Sequence, residues 1–384
     1  MDKVFDIVIA GGGPVGAALA LGLRDGGQRV ALLEARPREA ALDDARTIAL
    51  SHGSRLILER LGVWETLAAV TPIERISVSQ QHGFGRVELS AADAGVPALG
   101  YVTGYAALQR ALTAALERSA VRTMAGCTAR AVSGDAHGAA ISVDRDGARQ
   151  QLNARLIAIA DGGANLKLTH LKTRDYRQAA LVCDVTTEVA HQNRAFERFT
   201  PEGPLALLPT ARGWSLVWTA AADRARVLAA LDEAGFCAQL GTAFGAALGA
   251  FRLPGRRQVF PLVLKYATRP VAPRAVLIGN AAQTLHPVAG QGFNLGLRDA
   301  WELAQAILEH GAGDPGSSAF VNAYFLQRRC DRTATILFTD SLIRLFSKDI
   351  PLLKPVRGIG LAALGGIPAA KNFLARRMLF GARG

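Results

Sequence analysis

Glycines at set intervals, rather than acids, bases or nucleophiles, are the residues of this sequence best placed to do chemistry. Gly11, Gly13 and Gly16 make a G-x-G-x-x-G run. A second run extends from Ala275-Val-Leu-Ile-Gly279-Asn280 through His286-Pro287 and Gly290-Gln291-Gly292-Phe293-Asn294 to Gly296. Glycine lets the main chain come close to a flat ligand, and the unpaired N–H groups of a helix starting beside it favour negative charge. Both runs suit an anionic ring or a pyrophosphate held against bare backbone, and each is also compatible with a tight strand-to-helix turn. Glu34 decides between these readings at the first run, standing eighteen residues after Gly16 at the end of the next apolar stretch. Strand, glycines, helix and acid complete the dinucleotide fingerprint, with the carboxylate serving the ribose hydroxyls. The same carboxylate repels a 2′-phosphate, so FAD or NAD fits this slot better than NADP.

Other candidates are less specific. Asp161-Gly162 closes an apolar stretch, which is either a plain turn or the place where α/β sheets put ligand contacts. Arg46 is a solvated charge or a ligand contact; Gln109 lies off the Leu108, Leu112, Leu116 stripe and could face a ligand. His286 could tune a proton or bond to its own loop. No Ser-His-Asp set stands out. Cys127, Cys183, Cys237 and Cys330 lie far apart without a C-x-x-C pair, so neither metal-ligand spacing nor a disulfide framework exists and a reducing cytosol fits.

The elements that must position these residues follow from periodicity. Val4 to Ala10 and Arg29 to Leu33 read as buried parallel strands around a helix over 17–23. Residues 132–143 and 152–160 read as a hairpin leading back to that sheet. Residues 179–189, 196–199, 205–208, 214–219 and 259–264 read as antiparallel strands, and residues 221–231 and 236–251 as helices. Phe260, Trp214 and Trp218 either line a pocket or are core. The expected fold is α/β: a Rossmann-like dinucleotide-binding domain (1–71, 101–178 and 268–345) with an inserted antiparallel β-sheet substrate domain (72–100 and 179–267). A C-terminal helical tail would occupy 346–384. It mixes Gly-rich apolar pieces with Lys354, Arg357, Lys371, Arg376 and Arg377, which suits either packing on its own domain or an interfacial helix on anionic lipid.

With 50% hydrophobic and 20% charged residues among 384, the chain can bury a large core. Its net charge of +12 is carried mainly by scattered Arg, without the basic blocks of a nucleic-acid face, so no nucleic acid is expected as partner. The uncharged stretch from Ile7 to Leu23 contains Gly11-Gly12-Gly13-Pro14 and does not read as a membrane span or a signal peptide.

The N-terminal G-x-G-x-x-G, the mid-chain Asp-Gly and the late Gly-Asn strand-loop-helix, in that order, resemble the flavin-dependent aromatic hydroxylases of the para-hydroxybenzoate hydroxylase fold. Within them, residues 279–299 closely resemble the ubiquinone-biosynthesis hydroxylases. Most relatives carry Asp and His where this chain has Asn280 and Gln283, and that pairing looks like the 2-polyprenyl-6-methoxyphenol hydroxylase branch. Asp44-Ala-Arg46-Thr-Ile-Ala-Leu50 and Phe338 to Ser347 point the same way. The resemblance implies that Gly11, Gly13 and Gly16 hold the FAD pyrophosphate and Glu34 the adenosine ribose, with Arg46, Gln109 and Asp161 also at the cofactor. Asn280 would meet the ribityl-pyrophosphate region, with Gly279 also at the cofactor. Gly290, Gln291, Gly292, Phe293 and Asn294 would present backbone to the flavin ring, with Pro287 beside its reactive face. It further implies NAD(P)H as reductant, a flavin C4a-hydroperoxide formed with O2, and transfer of one oxygen to a polyprenyl phenol. The protein would be cytoplasmic, or peripheral at the inner face of the cytoplasmic membrane and in contact with a ubiquinone-biosynthesis complex. The family's Asp-Gly-x-x-Ser-x-x-Arg is here Asp161-Gly162-Gly-Ala-Asn165-Leu-Lys-Leu168, without the Ser and Arg. Rival readings are a flavin hydroxylase of another aromatic substrate or ring position, an FAD-dependent dehydrogenase or reductase, and a non-catalytic flavoprotein of a biosynthetic complex.

Overall fold

A computed structural model describes residues 4–37, 44–163, 166, 168–252, 255–346 and 353–383. Asn165, Lys167, the 347–352 link and the Lys354 side chain lie outside the described residues. Val4–Ala10 pairs in parallel with Val30–Glu34 on one side and Ala148–Ile159 on the other, and the sheet continues to Arg122–Ala125 and Ala275–Leu277. Ile7, Val8 and Ile9 are all fully buried, the burial on both faces that an unbroken apolar run demands. The helix Pro14–Gly22 is apolar almost all round because the helices Tyr105–Glu117 and Gln291–His310 enclose it.

A second sheet runs in the order Gln283–Thr284, Gln258–Ala267, Leu171–Thr187, Gly213–Ala221, Pro204–Thr210, Arg194–Phe199, Arg75–Gln80, Arg86–Ser90. Its pairings are antiparallel except where Arg194–Phe199 joins Arg75–Gln80 in parallel, a departure from the all-antiparallel reading. A small third sheet of Thr47–Ser51, Gly100–Gly104 and Thr71–Ile73 packs against strand Pro204–Thr210 of the second.

Two expectations are corrected. The span 132–143 is not one strand: Cys127–Gly134 and Ala139–Arg145 are separate. Between them the Asp135 carboxylate accepts the N–H groups of His137 at 2.7 Å and Gly138 at 2.9 Å, closing an Asx-type turn. The helix expected over 236–251 is Glu233–Phe244, capped by Asp232 and ended by Gly245 at φ 95°. Phe251–Arg252 beyond it pairs with Thr186 and Thr187 as strand.

The tail forms helices Leu353–Gly366 and Pro368–Phe380. They bury Leu361, Ala375 and Leu379 against the rest of the chain while Ile359, Ile367 and Phe373 stay exposed. No single helix among the described residues is long and apolar enough to cross a membrane, and these two helices meet at 96°.

Candidate active site

Leaving strand Val4–Ala10, the chain turns at Gly11 with φ +113°, where a Cβ would sit 2.4 Å from the Ala160 carbonyl oxygen. A Cβ on Gly16 would lie 1.9 Å from the Gly11 oxygen, so helix and turn touch through bare backbone. The helix opens at Gly13 without a side-chain cap, and Pro14 at its first position has no N–H to lose. The remaining first-turn N–H groups stay available to an anion. Gln109 is buried behind this turn and donates from Nε2 to the Gly12 carbonyl at 2.9 Å.

Gly11 and Gly13 line a cavity of about 620 Å³ whose wall also includes Glu34, Arg46, Asp161, Gly279, Asn280, Pro287, Gly292 and Phe293. Glu34 Oε1 accepts from Arg36 Nε at 2.9 Å. Arg46 binds Asp44 at 2.6 Å and lies 5.1 Å from the Tyr105 ring centroid and 5.7 Å from that of Phe260. Its hydrogen bond holds the Asp44 carboxyl below the usual carboxylate range. The Asp161 carboxylate accepts the Gly163 N–H at 2.8 Å and so shapes its own turn.

The late glycine turn is fixed by buried charge. Gly279, at φ +58°, packs on Val15, and Gly296 leaves room for it: a Cβ there would be 3.0 Å from the Gly279 Cα. Asp299 accepts the Gly279 N–H at 3.3 Å and Gln283 Nε2 at 2.6 Å. Arg328, on Ser318–Phe346, donates to Asp299 at 2.9 Å, Glu302 at 3.1 Å and Asp331 at 2.9 Å, and Arg298 also meets Asp331 at 2.9 Å. Burial works to raise the Asp331 carboxyl, but Arg298 and Arg328 beside it hold it below its ordinary value.

Helix Gln291–His310 starts at Gly290 in the left-handed region, again without a side-chain cap. Asn294 does not point at the cavity. It accepts from Ser51 N at 2.8 Å and Ser54 Oγ at 2.7 Å and donates to Ala49 O at 3.0 Å and Gly290 O at 2.7 Å. Gln291 is likewise buried, bonded to the Ala289 carbonyl. His286 is 1% exposed and accepts the Val288 N–H on Nδ1 at 3.1 Å. Burial pushes it down to about 3, so it is a neutral loop support. Gly16, Gln109, Gln291, Asn294 and His286 thus brace the cavity from behind, while the other singled-out residues form its surface or, like Gly290, a neighbouring one.

That neighbour is an apolar chamber of about 200 Å³, which shares Val217 and Pro287 with the first cavity. Its walls come from the second and third sheets, the Pro287–Gly290 loop, Ser318–Phe346 and both tail helices. Phe260 lines the larger cavity, whereas Trp214 and Trp218 are core. Sequence reasoning missed Glu197, which faces the chamber; its only signal was a lone acid in the alternation Ala195, Glu197, Phe199.

Main chain that a Cβ at Gly11 or Gly16 would crowd, two uncapped helix starts and Glu34 at the second strand's end together fit FAD. A family model described as FAD binding domain matches residues 4–336. The ubiquinone hydroxylase UbiL of Rhodospirillum rubrum is 34% identical, covering 98% of this chain and 90% of its own. The 3-demethoxyubiquinol 3-hydroxylase of Escherichia coli is 32% identical over 93% and 94%. The crystal structure of p-nitrophenol 4-monooxygenase PnpA from Pseudomonas putida matches with a TM-score of 0.80 over 100% of both chains; at 17% identity it shows the fold. With these matches spanning nearly its whole length, the chain belongs to the FAD-binding-domain family of flavin monooxygenases.

Proposed function

We propose that this protein is an FAD-dependent monooxygenase that hydroxylates the aromatic ring of a polyprenyl phenol in ubiquinone biosynthesis, using O2 and NAD(P)H. The observation that carries the reading is the apolar chamber meeting the flavin-sized cavity at Pro287 and Val217. Bound FAD supplies the oxygen activation and transfer, which no side chain can provide. The chain's residues place and shield it. First-turn N–H groups after Gly13 would hold phosphate, and those after Gly290 would favour negative charge on the flavin. Pro287 keeps one wall of the junction apolar, so a ring seated there is screened from water. Supporting this reading are the two hydroxylases named above, whose names describe ubiquinone chemistry.

The prenyl tail calls for an approach from lipid. Exposed Ile359, Ile367 and Phe373, with the exposed basic Arg376 and Arg377 on the second tail helix, suit an anionic bilayer as the surface from which substrate enters, while Lys371 is taken up by Asp93 at 2.6 Å. Incubation of purified protein with 2-geranyl-6-methoxyphenol, NADH or NADPH and ¹⁸O₂ tests the reaction: one labelled oxygen in the phenol is expected. Phenol-stimulated NAD(P)H oxidation without incorporation would move the protein to the dehydrogenase or reductase class. Phosphatidylglycerol vesicles should co-sediment the protein, and an Ile359→Asp/Phe373→Asp variant should stay in solution; equal sedimentation of both would dismiss the docking surface.

A further inference from the structure

Glu197 is the one ionisable side chain among the described residues lining the apolar chamber. It lies on Arg194–Phe199, paired with Val78 on one side and Ala206 on the other, and Ala206 pairs with Val217. Glu197, Ala206 and Val217 therefore form a row across the sheet pointing at the flavin cavity, which Val217 also lines. Two strand spacings put Glu197 roughly 10 Å from Val217, leaving space for one aromatic ring between carboxylate and flavin cavity. Apart from Glu197, the strands, the Pro287–Gly290 loop and helices Ser318–Phe346, Leu353–Gly366 and Pro368–Phe380 present only apolar residues to the chamber among the described residues. The adjacent Arg198 turns to the opposite face, donating to the Ala243 carbonyl.

On the hydroxylase reading above, we infer that Glu197 is a catalytic residue that receives the substrate's phenolic hydroxyl and takes its proton. The O–H bond breaks, the proton goes to a Glu197 carboxylate oxygen and the electron pair stays on the phenol oxygen. The single negative charge passes from carboxylate to phenolate, which enriches the ring carbons ortho and para to that oxygen for electrophilic oxygen transfer. An unpartnered carboxylate in apolar walls is costly, and a phenol O–H is the donor the chamber lacks. Burial alone pushes the Glu197 carboxyl up to about 7, which brings its basicity closer to that of a phenol than an ordinary carboxylate's.

The test is kcat/KM for 2-geranyl-6-methoxyphenol on both sides of pH 7, with ultraviolet difference spectra of the bound phenol, in wild type, Glu197→Gln and Glu197→Asp. In wild type, activity should rise with pH through about 7 and binding should produce a phenolate band. Glu197→Gln should lose about 10²–10⁴-fold in kcat/KM together with the pH limb and the band, while keeping its flavin and raising its unfolding midpoint. Glu197→Asp should regain part of the rate with the limb intact. Wild-type kcat/KM and pH profile in Glu197→Gln would overturn the assignment and leave the hydroxylase standing. A wild type that turns over no phenol would end the hydroxylase reading, and a phenolate band still dependent on Glu197 would uphold the carboxylate's contact with the hydroxyl.

Discussion

Replacing Gly16 by Ala adds one methyl group at a point where two stretches of main chain already touch. The new Cβ would stand 1.9 Å from the Gly11 oxygen, against the 3.0 Å below which such contacts essentially never occur, a shortfall of 1.1 Å. Neither neighbour is a flexible side-chain tip: the nearest atoms are the Gly11 carbonyl and, at 3.3 Å, the Ala160 Cβ. Helix Pro14–Gly22 must therefore back away from the turn, and its other side is already closed, with a Cβ on Gly22 meeting Ala304 at 2.8 Å. Overpacking of side chains typically costs 1–3 kcal/mol, and a backbone-on-backbone clash should reach the upper end, about 3 kcal/mol. The same displacement carries the helix's first N–H groups about an ångström from where a pyrophosphate needs them. Gly241→Ala is the matched control: it lies within helix Glu233–Phe244, its Cβ meets nothing within 4 Å, and it should stabilise by up to about 1 kcal/mol. Thermal unfolding and the ratio of flavin to protein absorbance after purification read both effects. If Gly16→Ala purified with full flavin and the wild-type midpoint while Gly241→Ala behaved as expected, the steric account of the glycine cradle would be refuted.

Arg328→Met should destabilise by about 3–5 kcal/mol in urea titration, because Asp299, Glu302 and Asp331 are left buried without their shared cation. Asn294→Leu strands Ser51 N–H among other partners and should cost about 1–3 kcal/mol for each buried group left unsatisfied, with flavin retention falling in parallel. His286 has its folded value depressed from 6.5 to about 3, so it favours the fold fully above pH 6.5 and that stability is lost as pH falls toward 3. At pH 5 the loss is about 2 kcal/mol. His286→Asn, which keeps an acceptor for the Val288 N–H, should remove this part of the difference between denaturation at pH 7 and pH 5; an unchanged difference would count against a buried neutral histidine.

How much of this was legible beforehand depends on whether the cause is local. The G-x-G-x-x-G turn, Glu34 and the Gly279–Gly296 loop announce themselves because sterics within a few residues dictate them. The turn at Asp135 and the helix stop at Gly245 are local too, but weak signals inside apolar stretches, and the longer pattern masked them. Gln109 and Asn294 could be picked out as site residues, yet which way each side chain turns is decided by the distant carbonyls of Gly12 and Ala49. Glu197 carried only the faint signal of a lone acid among alternating apolar residues. Its face depends on the parallel pairing of Arg194–Phe199 with Arg75–Gln80, a register between segments far apart in the chain.

Leu361, Leu364, Leu374 and Met378 roof the apolar chamber, and all four come from the last two helices rather than from either large sheet. The depth available to a hydrocarbon guest can thus be retuned by exchanging a few residues at one end of the chain. The machinery that grips the nucleotide lies on other elements and need not change.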